Sequence, residues 1–207
     1  MVKFIFVRHG QSKANETGYL IGSLETPLSA LGEKQAHAVC EYILKVYKVD
    51  AVYSSPLSRA YDTIKGVAKT LGLRISKEED LREINVGVWE GLSYEMINRD
   101  YAKEHYAWAT DTGLNSPPKG ETMAEVQKRV ISKLTEIAKK EDGKTVLIGT
   151  HAAVMRAVQC YVQKLPLSLM KHLPWVCNAS VSEIDFDGEN FYIYKFGYDG
   201  HLAGLKK

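Results

Sequence analysis

The 207-residue sequence has no run of about 20 apolar residues, so no segment predicts a membrane-spanning helix. Cysteine is scarce. The three thiols are widely spaced and odd in number, which argues against a disulfide framework and favours a reducing, cytoplasmic environment. The first residues lack a small-residue cleavage site and lead directly into Arg8 and His9, so they predict a first strand and not a signal peptide.

Concentrated positive charge is also missing. The net charge is +2, and lysine and arginine are spread among the acidic residues, so neither nucleic acid nor a membrane is an expected partner. There is no Cys-x-x-Cys pair and no histidine pair at helical i, i+4 spacing, which are frequent zinc signatures. A Gly-x-Ser-x-Gly elbow of serine hydrolases is absent as well. We therefore predict no metal and no other cofactor.

What the sequence does contain is an alternation of short apolar runs with longer helical stripes. Alternating strands and helices indicate a parallel sheet covered on both sides, and Asp187-Gly188 between two apolar runs predicts a final hairpin. The expected fold is α/β, a single domain over residues 1–207. It is a three-layer α/β/α sandwich with a mostly parallel central sheet and a C-terminal antiparallel hairpin. The predicted strands are 3–7, 51–54, 74–76, 145–149, 181–186 and 191–196, and the main helices are 30–47, one ending near 71, 122–140 and 152–162.

Three of these strands end in the same kind of residue. Arg8-His9-Gly10 follows the first, the segment 54–59 ending in Arg59 follows the second, and Thr150-His151 follows the third. Carboxyl ends of parallel strands meet at one edge of a sheet, where helix N-termini add backbone donors for an anion. Two arginine forks beside two imidazoles match the oxygens of a phosphoryl group.

Each of these residues alone has an ordinary interpretation. His151 alone fits a satisfied histidine at a strand end, Arg59 a solvated helix residue, and Ser54 and Ser55 turn or cap residues. Their joint placement at strand ends favours a phosphoryl site. We interpret the other four histidines as structural: His37, His105, His172 and His201.

Several motifs resemble, in order, those of the histidine phosphatase (phosphoglycerate mutase-like) superfamily, small phosphatase branch. The segment 8–15, Arg-His-Gly-Gln-Ser-Lys-Ala-Asn, is similar to its phosphohistidine signature, and 26–32 to the stretch that follows it. Residues 54–63 resemble its second arginine motif and 81–91, Leu-Arg-Glu-Ile-Asn-Val-Gly-Val-Trp-Glu-Gly, its acid-bearing motif. Gly120-Glu121-Thr122 and the strand ending in His151 complete a set that spans most of the chain.

The resemblance implies a phosphomonoester hydrolase acting through a covalent phosphohistidine on His9. Glu83 would protonate the leaving alcohol and then deprotonate water. The remaining roles are carried over in the same way: Arg8, Arg59 and a protonated His151 would bind the phosphoryl oxygens, and Asn15, Ile21, Gly22 and Ala152 would contact the substrate. Ile21 replaces a frequent polar residue of the family, and Ala152 a frequent glycine.

Other functions compete with this hypothesis. A cofactor-dependent phosphoglycerate mutase would use the same chemistry, but residues 92–120 lack the arginine pair usual in family mutases. An inactive module that binds phospho-ligands would be expected to have lost one of the five catalytic residues, and none is missing. A metallohydrolase using His9 and His151 is the third alternative.

A helical and loop insertion at about 92–120 is the predicted determinant of specificity. Its large side chains fit an aromatic mouth or a packed core equally well: Tyr94, Met96, Tyr101, Tyr106 and Trp108. The expected partner is a small phosphorylated metabolite as substrate. The assembly state stays open, with a homodimer as one option.

Overall fold

The computed structural model describes residues 1–205, so Lys206 and Lys207 of the predicted 1–207 domain lie outside the described residues. Strands and helices alternate along the chain as the sequence predicts. The strands are β1 (Val2–Arg8), β2 (Tyr19–Leu20), β3 (Ala51–Ser54), β4 (Ile75–Lys77), β5 (Leu92–Ser93), β6 (Thr145–Thr150), β7 (Val181–Phe186) and β8 (Phe191–Tyr198). The α-helices are α1 (Lys13–Thr17), α2 (Ala30–Val46), α3 (Ser58–Leu71), α4 (Tyr94–Asp100), α5 (Ala102–Thr110), α6 (Met123–Lys140) and α7 (Ala152–Val162). None of the helices in residues 1–205 combines the length and the apolar character needed to cross a bilayer.

The central sheet has the strand order β4-β3-β6-β1-β7-β8. The first four of these strands are parallel, and β7 and β8 form an antiparallel hairpin at one edge. In the β1–β6 register Arg8 lies opposite Thr150. Because both strands run in the same direction, the residues that follow them, His9 and His151, leave the sheet side by side.

Alternate residues of β1 serve the two faces of the sheet, since side chains along a strand point to opposite sides. Phe4 and Phe6 pack in one core with residues of α6 and α7. Ile5 and Val7 pack in a second core with residues of α2 and α3. Both cores are closed to solvent, and helices therefore cover both faces. The predicted three-layer α/β/α fold is confirmed.

Local signals explain where the helices start and stop. Thr122 and Glu125 form the predicted capping box of α6, and Gly72 ends α3 in the left-handed conformation with φ 66°. The insertion forms two helices, which break at Tyr101. The sequence analysis missed α1 and the two-residue pair β2–β5, because elements this short carry no readable periodicity.

Candidate active site

The carboxyl ends of β1, β3 and β6 meet at a cavity of about 430 Å³. The His9 N–H donates to the carbonyl of Thr150 at 2.9 Å, which joins the ends of β1 and β6. Eight of the nine predicted site residues line this cavity: Arg8, His9, Asn15, Ile21, Gly22, Arg59, Glu83 and Ala152. The ninth, His151, is fully buried, with its ring centroid 5.1 Å from that of His9.

His9 is held as a neutral imidazole with a defined tautomer. Its Nδ1 lies 2.7 Å from the carbonyl of Gly10, which only accepts, so Nδ1 carries the proton and the lone pair remains on Nε2. Burial, then the charges of Arg59 and Arg8, hold the pKa of His9 well below its ordinary value. The Gly10 N–H donates to Thr63 Oγ1 at 2.9 Å, which fixes the backbone that carries the ring.

Two guanidinium groups flank His9, that of the buried Arg59 and that of the partly buried Arg8. Arg59 donates from Nη2 to the Gly22 carbonyl at 2.7 Å and from Nη1 to the Leu24 carbonyl at 2.9 Å. Arg8 Nη1 donates to the carbonyl of Val176. These carbonyl groups orient both guanidinium groups without neutralising their positive charge. The two arginines therefore present positive charge to the base of the cavity, as a phosphoryl site requires.

Glu83 also lines the bottom of this cavity. Its Oε1 accepts from the N–H of Ile84 at 3.0 Å and from that of Ala153 at 3.2 Å. Burial raises the pKa of Glu83, and this effect outweighs the opposing charges of Arg59 and Arg8. A carboxyl group with a raised pKa retains its proton at higher pH, which suits a general acid.

Within residues 1–205, the only group of three potential metal ligands lies at the centre of this site. His9, Glu83 and His151 each offer one ligand atom, and these atoms lie within 4.8 Å of one another. The cationic Arg8 and Arg59 line the same space and repel a second cation there. The donor set fits an anion better than a divalent metal.

The predicted protonation of His151 depends on bound substrate. Burial, then the charges of Arg59, His9 and Arg8, hold the pKa of His151 well below its ordinary value, so the ring is neutral in the free enzyme. Its Nε2 lies 2.8 Å from the buried Oγ of Ser55, while Nδ1 is buried without a partner among residues 1–205. Ser55, for which a turn or cap role is the ordinary alternative, therefore orients this imidazole.

The loop around Gly22 is held by a residue that the sequence analysis did not single out. Glu90 accepts from the N–H of Gly22 at 3.0 Å and from the N–H of Ser23 at 2.7 Å. Gly22 is a predicted substrate contact; its N–H is engaged by Glu90, and its carbonyl orients Arg59. A Cβ on Gly22 would lie 2.1 Å from the Ile84 carbonyl, so the close packing of this loop requires glycine.

Asn15 and Ala152 both line the cavity. Asn15 Oδ1 accepts from the N–H of Ser12 at 3.1 Å and from Nδ2 of Asn178 at 3.3 Å, which leaves the Asn15 amide group as a donor. Ala152 is the first residue of α7, and first-turn N–H groups have no acceptor within their own helix. Both positions can donate to an anion.

The aromatic residues of the insertion divide between the two expected environments. Tyr94 and Trp108 line the cavity. Tyr101 packs with its ring centroid 6.5 Å from that of the buried Trp89, and Tyr106 is 74% exposed. The insertion therefore contributes some aromatic residues to the mouth of the cavity, Tyr94 and Trp108, and another, Tyr101, to the packed core.

His105 and Trp175 are among the cavity residues that the sequence analysis did not assign to the site. His105, which we interpreted as structural, lines the cavity between Tyr94 and Trp89, and its Nδ1 lies 2.7 Å from Asn98 Oδ1. Trp175 lines it from the segment that precedes β7. No local signal marks Trp175, because only the folded chain brings residue 175 to the carboxyl end of β1.

Comparison with known proteins agrees with this geometry. The sequence is 34% identical to phosphoserine phosphatase 1 of Hydrogenobacter thermophilus, over 98% of this chain and 95% of that protein. It is 31% identical to a metal-independent phosphoserine phosphatase of Arabidopsis thaliana, over 99% of this chain and 85% of that protein.

Solved structures with the same fold point in the same direction. YhfR of Bacillus stearothermophilus superposes with a TM-score of 0.92 at 27% identity, over 98% of this chain and 100% of that one. The mycobacterial glucosyl-3-phosphoglycerate phosphatase Rv2419c in complex with VO3 superposes with a TM-score of 0.88 at 28% identity, over 95% and 99% of the two chains. Residues 4–199 match the histidine phosphatase superfamily (branch 1). The chain belongs to this superfamily, as its motifs predict.

Proposed function

We propose that the enzyme hydrolyses phosphomonoesters by a double displacement in which His9 is the nucleophile and Glu83 the proton carrier. In the first step His9 Nε2 forms a bond to phosphorus and the bond from phosphorus to the ester oxygen breaks. The leaving oxygen takes its proton from Glu83, so an alcohol departs and not an alkoxide. Oε1 of Glu83 already accepts from two N–H groups, which leaves Oε2 to carry that proton.

The second step uses the same groups in reverse. The Glu83 carboxylate removes a proton from water as the water oxygen attacks the phosphohistidine. The bond from phosphorus to Nε2 breaks, inorganic phosphate leaves, and His9 is again neutral while Glu83 is again protonated. Arg8 and Arg59 stabilise the charge on the phosphoryl oxygens in both steps.

The observation that carries this proposal is the state of His9. A neutral imidazole whose Nδ1 donates to Gly10 presents a lone pair on Nε2 to a cavity lined by Arg8, Arg59 and Glu83. A histidine with a purely structural role does not require two cations and a partly buried carboxyl group beside its free nitrogen. His151 is neutral before substrate arrives, and a bound phosphoryl dianion favours its protonation.

Hydrolysis is better supported than mutase activity. A bisphosphate cofactor needs a second cationic site, and within residues 1–205 the cavity is lined by no arginine or lysine beyond Arg8 and Arg59. A relative of this chain, from Arabidopsis thaliana, is named phosphoglycerate mutase-like protein 4, so a mutase assay remains a necessary control. Phosphate release should not depend on 2,3-bisphosphoglycerate.

Trapping of the intermediate tests the proposal. Acid-labile, base-stable phosphate should be found on the enzyme after rapid quenching with p-nitrophenyl phosphate. His9→Ala should abolish both the label and turnover. His37→Ala, which changes an exposed histidine on α2, is the matched control and should retain both. Near-native turnover by His9→Ala would exclude the mechanism.

Three further predictions accompany this function. The substrate is a small phosphorylated metabolite, the insertion at 92–120 determines which one, and the protein works in the cytoplasm. The cavity residues Tyr94, His105 and Trp108 support the second prediction. Exchange of residues 92–120 for the corresponding segment of a relative should change the substrate preference but not the formation of the phosphohistidine intermediate. Light scattering on the full chain would separate a homodimer from a monomer.

A further inference from the structure

We infer that the natural substrate is a phosphomonoester whose alcohol carries a flat apolar or aromatic ring and no second anionic group. This inference rests on the proposed function and concerns the outer part of the same cavity. The inner part, around His9, binds the phosphoryl group of any monoester. Specificity must therefore come from the residues that meet the rest of the substrate.

The outer part of the cavity is lined by aromatic side chains that are left partly exposed. Tyr19, Tyr94 and Trp175 are 45%, 45% and 47% exposed, although each is large and largely apolar. They are joined by Trp108 and by the apolar Ile21. Aromatic side chains that line a cavity and remain open to water provide stacking surfaces for a ring of a ligand.

Trp175 is held in place by a buried cation. The guanidinium carbon of Arg156 lies 4.1 Å from the centroid of the Trp175 indole, and Nη2 of Arg156 donates to the Met170 carbonyl at 2.8 Å. Arg156 is only 4% exposed and does not line the cavity. The Arg156 guanidinium therefore makes a cation–π contact with the indole and is not available to bind a substrate.

The outer cavity has no permanent positive charge to pair with a second anionic group. Of the arginines and lysines in residues 1–205, only Arg8 and Arg59 line the cavity, and both lie at the phosphoryl end. Apart from His9, the remaining basic group is His105, which is already engaged through Nδ1 with Asn98 Oδ1 at 2.7 Å. A carboxylate on the alcohol part of the substrate would lie among Tyr94, Trp108 and Trp175. Removing that carboxylate from water without a charged partner is costly, whereas burying a ring there is favourable.

Three alkyl phosphates separate these possibilities because their leaving groups are all unactivated alcohols. The value of kcat/KM for 2-phenylethyl phosphate should exceed those for ethyl phosphate and for phosphoserine by about tenfold or more. Trp175→Ala should lower kcat/KM for 2-phenylethyl phosphate by about tenfold, mainly through KM, with a much smaller change for ethyl phosphate. Tyr106→Ala, which removes an exposed aromatic ring outside the cavity, is the matched control and should leave this preference unchanged.

The outcomes distinguish the two proposals. Faster turnover of phosphoserine than of 2-phenylethyl phosphate, or equal turnover of the ethyl and phenylethyl esters, would overturn the inferred substrate class and leave the hydrolase intact. Absence of turnover for all three esters and absence of a phosphoenzyme with p-nitrophenyl phosphate, in a protein with a native circular dichroism spectrum, would overturn the proposed function itself. A loss in Trp175→Ala that is equal for both esters would show that Trp175 does not select the ring.

Discussion

The imidazole rings of His9 and His151 lie with their centroids 5.1 Å apart and their planes at 57°. Both rings are buried, and Arg59 and Arg8 lower the pKa of each. Protonation of one ring also opposes protonation of the other, since like charges this close repel in a buried site. The pair is therefore neutral when the cavity is empty, and it becomes able to accept a proton when a phosphoryl dianion neutralises the arginines.

The first prediction concerns this pair. In an NMR titration of the free enzyme, His9 and His151 should stay neutral to a pH well below the ordinary histidine pKa, because burial and the two arginines oppose the charged form. Vanadate should raise the pKa of His151 and cause net uptake of protons, measured by calorimetry in buffers of different ionisation enthalpy. Ordinary titration of both rings in the free enzyme would contradict the prediction.

The second prediction concerns the pH dependence of the first chemical step. Attack needs neutral His9, whose pKa is lowered, and protonated Glu83, whose pKa is raised. For an alkyl phosphate, kcat/KM should therefore fall on the acid side as His9 gains a proton and on the alkaline side as Glu83 loses its own. With p-nitrophenyl phosphate, the alkaline fall due to Glu83 should be much weaker, once the ionisation of the substrate is taken into account. Identical profiles for both esters would argue against Glu83 as the acid.

The third prediction isolates the proton transfer by mutation. Glu83→Gln keeps the size of the side chain but cannot transfer a proton, so phosphohistidine formation from an alkyl phosphate should slow by roughly 10²–10⁴-fold. Formation from p-nitrophenyl phosphate should slow much less, and phosphoenzyme should then accumulate because water is no longer activated. Single-turnover kinetics with both esters measures this. An equal, small loss without accumulation would assign the proton to another group.

The fourth prediction concerns metals. Activity should survive exhaustive chelation, since Arg8 and Arg59 supply the positive charge that a metal would otherwise provide. Added Zn²⁺ should bind weakly and inhibit reversibly only at high concentration, because His9, Glu83 and His151 place three ligand atoms within 4.8 Å of one another while Arg8 and Arg59 oppose a cation there. Rates with a chelator, without it, and after addition of Zn²⁺ test both statements. Loss of activity on chelation that Zn²⁺ or Mg²⁺ restores would favour a metallohydrolase.

The fifth prediction concerns Glu90, a positioning residue that acts through the loop around Gly22. Glu90→Gln removes an acceptor of the Gly22 and Ser23 N–H groups, so the carbonyl that orients Arg59 should lose its fixed place. The value of kcat/KM should fall roughly tenfold for every monoester, whatever its leaving group. The effect should largely vanish in an Arg59→Ala background, which a double-mutant cycle measures. Additive losses would show that Glu90 does not act through Arg59.

Much of the site could be predicted because its residues follow strands directly. His9 comes directly after β1, Arg59 is the second residue of the helix α3 that follows β3, and His151 comes directly after β6. Parallel strands bring their carboxyl ends together, so strand prediction alone places these three side chains at one edge. The predicted bounds of α7, Ala152–Val162, also agree with the structure, since its apolar stripe is continuous.

The contacts that orient the site could not be predicted in the same way. Glu90 reaches Gly22 across 68 residues, and Ser55 reaches His151 across 96. No local periodicity encodes a hydrogen bond between such distant positions. Trp175 and His105 likewise become cavity residues only when separate segments pack around the carboxyl end of β1.

The sequence by itself therefore determined the order of the main strands and helices, the superfamily, and the identity of the residues at the base of the cavity. Tertiary structure decided the charge states of His9, Glu83 and His151, because each pKa depends on burial and on arginines brought from elsewhere in the chain. It also decided the aromatic outer cavity and the use of the Gly22 N–H by Glu90. The physical reason is that the sequence specifies which chemical groups are present, whereas the burial of those groups and the distances between them are set only when the chain folds.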